Sequence, residues 1–336
     1  MIGENYWDGS IFNCYSASTV SGNYSLITGG LIGINQGGSI WECYATGTIL
    51  GDFFTGGLVG ANQEGGAILI CYADSTVDGN FVAGALVGVN SDTISNCSAT
   101  GTVFGTTDSG GLVGANSGRV SNCYATTSVS GDYETGGLVG YNDGLVFSSY
   151  AAGLLTNDDP NTGGLVGSSE TNSTYSMCFW DSNINPDING IGNVTDPNVI
   201  GESTENMQTE STFSGIGWDF VGETVNGAND IWWINEGKDY PRLWWETIEP
   251  VELLDILAQD VIDLELQPGL ENSLLAKLDA ALQKLEDDNE NNDAATINLL
   301  EAFINTVEAQ RGKKIPEADA DALIAAAQEI IDLLSG

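Results

Sequence analysis

The thiols, carboxylates and aromatic rings of this 336-residue chain are the groups that could do chemistry, and most recur at a fixed interval. Cysteines stand at Cys14, Cys43, Cys71, Cys97 and Cys123, with Ser149 next in the series and Cys178 outside it. Steps of 26–29 residues with no Cys-x-x-Cys pair are not a zinc pattern. If the copies stack, neighbouring Cβ atoms lie about 4.8 Å apart, against about 3.8 Å in a disulfide. That spacing favours a buried file of free thiols over cross-rung disulfides. Asp108-Ser109-Gly110 matches the aspartic-protease triplet but has no second copy, and that chemistry needs two carboxylates sharing a site.

One stretch has the spacing of a calcium loop. Asn185, Asp187, Asn189, Gly190, Asn193 and Asp196 fall at positions 1, 3, 5, 6, 9 and 12 of an EF-hand-like segment. Position 1 is not Asp, position 12 is not Glu, and Pro186 and Pro197 suggest plain turns. Calcium is the one cofactor the sequence suggests. Two aromatic groups could hold a sugar. Tyr24, Phe53, Phe81 and Tyr133 each follow a Gly-Asn or Gly-Asp pair. Trp180, Trp218, Trp232, Trp233, Trp244 and Trp245 crowd into residues 171–247. Sugar C–H faces lie on such rings while nearby amides and carboxylates take hydroxyls. The competing expectation is a corner ladder for the first group and, for the second, a hydrophobic cap on an open sheet end.

A repeated glycine motif must position these residues. It reads Gly29-Gly30-Leu31-Ile32-Gly33, Gly56-Gly57-Leu58-Val59-Gly60 and Gly84-Ala85-Leu86-Val87-Gly88. It returns at Gly110–Gly114, Gly136–Gly140 and Gly163–Gly167, in steps of 26–28 residues. Between copies lie three short runs rich in Val, Ile, Tyr and Thr, each stopped by Gly, Asn or Asp, which read as strands and turns. A unit this small cannot bury its apolar face alone and must stack on its copies. The period predicts a mainly β fold, a parallel β-solenoid of about six rungs over residues 1–170. Leu31, Leu58, Leu86, Leu112, Leu138 and Leu165 should form one inward ladder; Ile40, Ile68, Ile94, Val120 and Val146 should form another. A β-propeller blade usually needs about 40 residues or more.

Residues 171–247 break the motif and read as an irregular Trp-rich cap continuing the solenoid, and residues 248–336 change period. Apolar residues there recur every 3–4 positions, as in Val251, Leu254, Leu257 and Val261. Leu274, Leu278, Leu282 and Leu285, then Leu300, Phe303, Ile304 and Val307, then Leu323, Ala326, Ala327, Ile330 and Leu334 give three more faces. These predict a four-helix bundle with a polar loop at 288–292.

Charge bounds the partners. The chain carries 47 acids against 8 bases and no His. Residues 1–170 hold 15 acids and a single base, Arg119. Phosphate binding needs a basic surface, so nucleic acid is excluded, and an anionic membrane surface for the same reason. No apolar run is long enough to span a bilayer. Met1-Ile2-Gly3-Glu4-Asn5 aligns with Leu31-Ile32-Gly33-Ile34-Asn35, so the chain starts in mid-repeat. Earlier rungs and a secretion signal are expected upstream.

The repeat resembles the GLUG motif of large bacterial surface proteins, some described as adhesins or immunoglobulin A peptidase-like. The run from Ala302 to Ile315 resembles FIMAH modules, small helical domains of secreted bacterial proteins. These resemblances imply an extracellular or cell-surface setting and supply no catalytic residue. The expectation is a non-enzymatic, adhesin-like scaffold meeting a cell-surface or matrix protein or a polysaccharide. The alternatives are a carbohydrate-binding part of a secreted protein and, further off, a β-solenoid polysaccharide lyase or hydrolase. One Arg, no Lys and no His in the solenoid leave few bases or oxyanion partners.

Overall fold

The computed structural model describes residues 2–22, 24–157, 159–222, 225–246, 250–264, 266–285 and 293–335. Asn23 of the turn series and the polar loop 288–292 lie outside them. The chain divides into two compact units, Met1–Trp245 and Glu246–Gly336.

The first unit is a parallel β-solenoid. One rung runs through Val59–Gln63 on the first face, Ala67–Leu69 on the second and Tyr72–Gly79 on the third. Val82–Gly84 then returns to the first face one level on. Equivalent strands pair in register: Val59 with Ile32 and Val87, Ile68 with Ile40 and Ile94, Ala73 with Ala45 and Ala99. Alternation in each strand sends one residue in and the next out. Both expected apolar ladders are buried: the six leucines, and Ile40, Ile68, Ile94, Val120 and Val146. The second ladder extends to Ile11 below and Tyr175 above. The first motif glycine sits where the backbone bends onto itself; a Cβ on Gly56 would lie 1.9 Å from the Val59 carbonyl oxygen. The corner between the second and third faces uses left-handed backbone at Asn13, Glu42, Ile70, Asn96, Asn122, Ser148 and Met177. Ile70 is strained there, since its branched Cβ opposes positive φ.

The glycine motif ends near residue 170, but the solenoid does not. The solenoid continues past it for about one further turn, giving about seven. Thr174–Ser176 and Cys178–Asp181 pair with the preceding rung, and Val199–Glu202 pairs beyond them. Residues 171–202 lose the glycine motif but keep the inward alternation of Tyr175, Cys178 and Trp180. Cys178 is therefore inside the regular rungs, beside Ser149. Trp180 occupies the inward position that Ala45, Ala73, Ala99, Ala125 and Ala151 hold in earlier rungs. Its indole lies over Gly164, where a Cβ would come within 2.1 Å of the ring. Ile191 and Val199, from the strands that follow, also join the core at this end.

A file of asparagines runs through the same core. Asn5, Asn35, Asn62, Asn90 and Asn116 each donate from Nδ2 to Oδ1 of the next, ending on Asn142, at 2.7–2.8 Å. Asn142 donates to the Tyr175 hydroxyl at 3.0 Å, which donates to Ser169 Oγ at 2.8 Å. Each amide also reaches a carbonyl of its own turn, as Asn35 does to Gly38 at 2.8 Å. The amides are buried, so these bonds replace water.

The second unit packs α1 (Pro250–Asp263), α2 (Pro268–Leu285), α3 (Asp293–Gln310) and α4 (Glu317–Ser335). Consecutive helices pack on one another, and α1 packs on α4. Leu254, Leu257, Leu274, Leu278, Leu300, Phe303, Leu323 and Ile330 fill the interior. Gly312, at φ +65°, follows the end of α3, and Arg311 pairs with Glu308 and Asp321. No helix among the described residues is long and apolar enough to cross a membrane.

Replacing Asn90 by Ala removes a donor to Asn116 and an acceptor for Asn62. We expect a loss of about 1–3 kcal/mol for each buried group left unpaired, read from urea unfolding. An unchanged midpoint would mean that the file is decoration.

Candidate functional site

The residue after each corner cysteine points outward on the third face. Stacking aligns Tyr15, Tyr44, Tyr72, Ser98, Tyr124, Tyr150 and Phe179 into one column. The rings of Tyr15 and Tyr44 stack at 5.2 Å, Tyr44 and Tyr72 at 4.9 Å, and Tyr124 and Tyr150 at 5.0 Å, all within 9° of parallel. Ser98 interrupts the column.

The Trp-rich segment covers the upper part of this column from the side. Its rings from Trp218 onward pack beside the third face, while Trp180, also part of the segment expected to cap, lies inside the last full turn. Trp232 packs against Tyr124 and Tyr150, tilted by about 50°. Trp218 meets Phe179 edge-on and donates its indole N–H to the Met177 carbonyl at 3.1 Å. Tyr240 lies along Tyr150, whose hydroxyl donates to the Pro241 carbonyl at 2.7 Å. Buried Asp181 anchors the segment, accepting from the hydroxyls of Tyr240 at 2.6 Å and Thr204 at 2.7 Å. Burial, then that bond to Asp181, raises the Tyr240 phenol above its ordinary value. The segment ends where Ser98 leaves a notch. Trp245 enters there, donating to the Asn96 carbonyl at 3.0 Å with its ring against Tyr72.

Below the notch the column is open. Tyr15 is 66% exposed, and Tyr44 and Tyr72 are half-buried. On the adjoining strands Phe12 stacks on Trp41 at 4.1 Å, both exposed. The carboxylates of Glu42 and Asp74 stand exposed beside these rings.

The sequence-predicted site residues divide. Trp180, Trp218 and Trp232 are buried among protein atoms, so no sugar can stack on them as placed. Trp233 and Trp245 are half-buried, and Trp244 is 50% exposed. Tyr24, Phe53, Phe81 and Tyr133 are all exposed. Phe53 and Phe81 lie parallel within 2° at 4.8 Å and spend ring faces on each other. Asp52 ties these turns together, accepting from the Tyr24 backbone N–H and from Asn80 at 2.7 Å.

The calcium-loop spacing does not gather into a cage. The Asn185 amide donates to the Gly153 carbonyl at 2.8 Å and accepts from the Leu155 N–H at 3.0 Å. Asn189 lies in the strand Asn189–Ile191, and Asp196 accepts from Asn198 in its own turn. Asp187 lies in the turn just before that strand. Among the described residues no three or more His, Cys, Asp or Glu side chains gather where they could hold a metal ion.

The six cysteines are free, and the file has a hydrogen-bonding role. Each thiol donates to the carbonyl two residues back, as Cys71 does to Leu69 at 3.1 Å. The Cys43 N–H donates to Cys71 Sγ at 3.4 Å. Ser149 makes the same two bonds, donating to Phe147 and accepting from Cys123, which explains a serine in a cysteine file. Burial pushes the Cys178 thiol up to about 12.

Asp108 gains the second carboxyl that its triplet lacked. Glu134, one repeat period on, hydrogen-bonds to it. Burial first, and the Glu134 carboxyl second, push Asp108 up to about 7. Sequence reading missed this pair and the tyrosine column, though the 26-residue offset and the repeated Cys-Tyr dipeptide carried both signals.

The family model for the GLUG motif matches residues 24–50 and 79–103. No curated protein matches the chain. A solved structure described as a "putative immunoglobulin A1 protease" from Bacteroides ovatus is similar at 19% identity and a TM-score of 0.49. That match covers 71% of this chain and 76% of the other.

Two measurements check the GLUG rungs. In the native chain at about pH 8, an alkylating reagent should reach Cys14 first and leave the five buried thiols unmodified until unfolding. Rapid loss of all six would refute the sealed file. For Asp108, a raised folded pKa means protons are taken up on folding. That stabilisation is complete below about pH 4 and is lost as pH rises toward 7. Asp108→Asn should flatten this slope and melt higher than the parent above neutral pH; parallel melting curves would deny the shared proton.

Proposed function

We propose that this chain is a non-enzymatic, adhesin-like scaffold that works outside the cell or on its surface. The observation that carries this reading is the open stretch of the tyrosine column. The solenoid buries its core ladders, places Trp180 inside its last full turn and covers the upper part of one aromatic column with its own segment. The remaining rings face solvent as a contiguous apolar strip rimmed by carboxylates. Such strips on folded domains mark contact surfaces. The acidic surface fits a protein kept soluble by self-repulsion and indifferent to nucleic acid. The helical unit, which resembles FIMAH modules, serves as a second interaction module on the same chain. The partner is a cell-surface or matrix protein.

Carbohydrate binding is the alternative, favoured by the exposure of Trp244, Phe53, Phe81 and Tyr133. One experiment separates the two. The full chain is immobilised and offered cells, matrix proteins and a glycan array, in calcium and in chelator. Retention of cells or matrix protein, with no product released, is the expected result. Retention of glycans alone would move the chain to the alternative, and loss with chelator would bring calcium back to residues 185–196. Turnover of any panel member would overturn a non-enzymatic role.

A further inference from the structure

The molecule displays, on one face, how its tyrosine column is recognised. Where the column is covered, the cover is an extended segment carrying indole and phenol rings. Trp245 lies nearer parallel to Tyr72, at 27°, while Trp232 and Trp218 meet the stack tilted by about 50° or edge-on. This geometry follows from the column itself. Rings stacked at rung spacing turn their faces to each other and their edges and hydroxyls outward. Positive ring edges attract the negative face of another aromatic. The outward hydroxyls take backbone carbonyls, as Tyr150 does with Pro241. A sugar needs ring faces, which this column does not offer along its length.

The cover ends at the Ser98 notch with Trp245 against Tyr72, and beyond it the same column continues uncovered through Tyr44 and Tyr15. Phe12 and Trp41 widen it by one strand. Glu42 and Asp74 add negative charge beside the rings, on a solenoid with 15 acids and one base through residue 170. We propose that this open stretch binds an extended segment of a second protein bearing tryptophan or tyrosine together with lysine or arginine. The partner segment lays its rings against the edges of Tyr15 and Tyr44, as Trp232 does against Tyr124 and Tyr150. Its carbonyls accept from the tyrosine hydroxyls, and its cations sit by Glu42 and Asp74. The proposal rests on the display reading above and names its partner.

The probe is a labelled synthetic peptide of residues 231–245, which already carries this chemistry, titrated into the full chain by fluorescence anisotropy. A second peptide carries Glu236→Lys. We expect saturable binding, several-fold tighter for the Lys peptide, weakened at least tenfold in a Tyr15→Ala/Tyr44→Ala chain. Glu42→Lys should abolish the advantage of the Lys peptide while leaving the rings in place. Because these side chains are surface groups, the variants should keep the parent's thiol protection. Should the double variant unfold, Glu42→Lys alone still decides the matter.

Three results would overturn the proposal. The peptide could fail to bind. It could bind equally to the Tyr15→Ala/Tyr44→Ala chain, as expected if it only displaces the chain's own segment higher up the column. Or the double variant could lose a soluble β-glucan oligosaccharide and not the peptide, which would make the strip a glycan site. If the peptide fails while the immobilised chain still holds cells or matrix protein, only the peptide assignment falls. If both fail, the display reading falls with it.

Discussion

Stacking commits every rung to the one before it, and the buried asparagine file is where that commitment is strictest. Apolar ladders tolerate exchange, as the replacement of Ile94 by Val120 and Val146 in one column indicates. An amide in a dry core does not, since a donor without an acceptor costs about as much as the bond is worth, or more. Six asparagines in register therefore fix the level of each rung, and the corners and turns follow. A slip by one residue would put every amide against an apolar ladder.

The cysteine file obeys the same rule at a tighter corner. The left-handed residue before each cysteine brings the thiol back toward the carbonyl two residues earlier. Only a short side chain with a donor and an acceptor fits that space, so Ser149 can stand in and a leucine could not. What looks like a redox motif in the sequence is a piece of backbone accounting. Asp108 and Glu134 differ, because there the stacking brings together two groups that repel when charged, and a proton settles the conflict.

Much of this was readable from the residues. The glycine motif and its period gave the rung, the leucine and isoleucine series gave the core, and the change of period near residue 248 gave the helices. The seventh turn was hidden because Cys178 and Trp180 keep the alternation without the glycines. Side-to-side placement was harder to read. Nothing local in Trp218 or Trp232 says that each lies along the third face; that depends on Asp181, the Ser98 notch and Trp180 acting together across distant parts of the chain. The calcium-like spacing meets other demands. Asn185 spends its amide on Gly153 and Leu155, and Asn189 lies in a strand that extends the solenoid.

The asparagine file also has a direction, and it makes the middle rungs interchangeable parts. Each offers the same donor upward and the same acceptor downward, so a gene could gain or lose one period by unequal recombination and every ladder would still close. The last turn cannot be copied inward in this way. Tyr175 ends the amide relay, and Trp180 stands where the middle rungs hold a small alanine. A change in the number of middle rungs would leave this last turn as it is. The number of middle rungs becomes a ruler, setting the distance between the open tyrosines and the closed end in steps of about 4.8 Å.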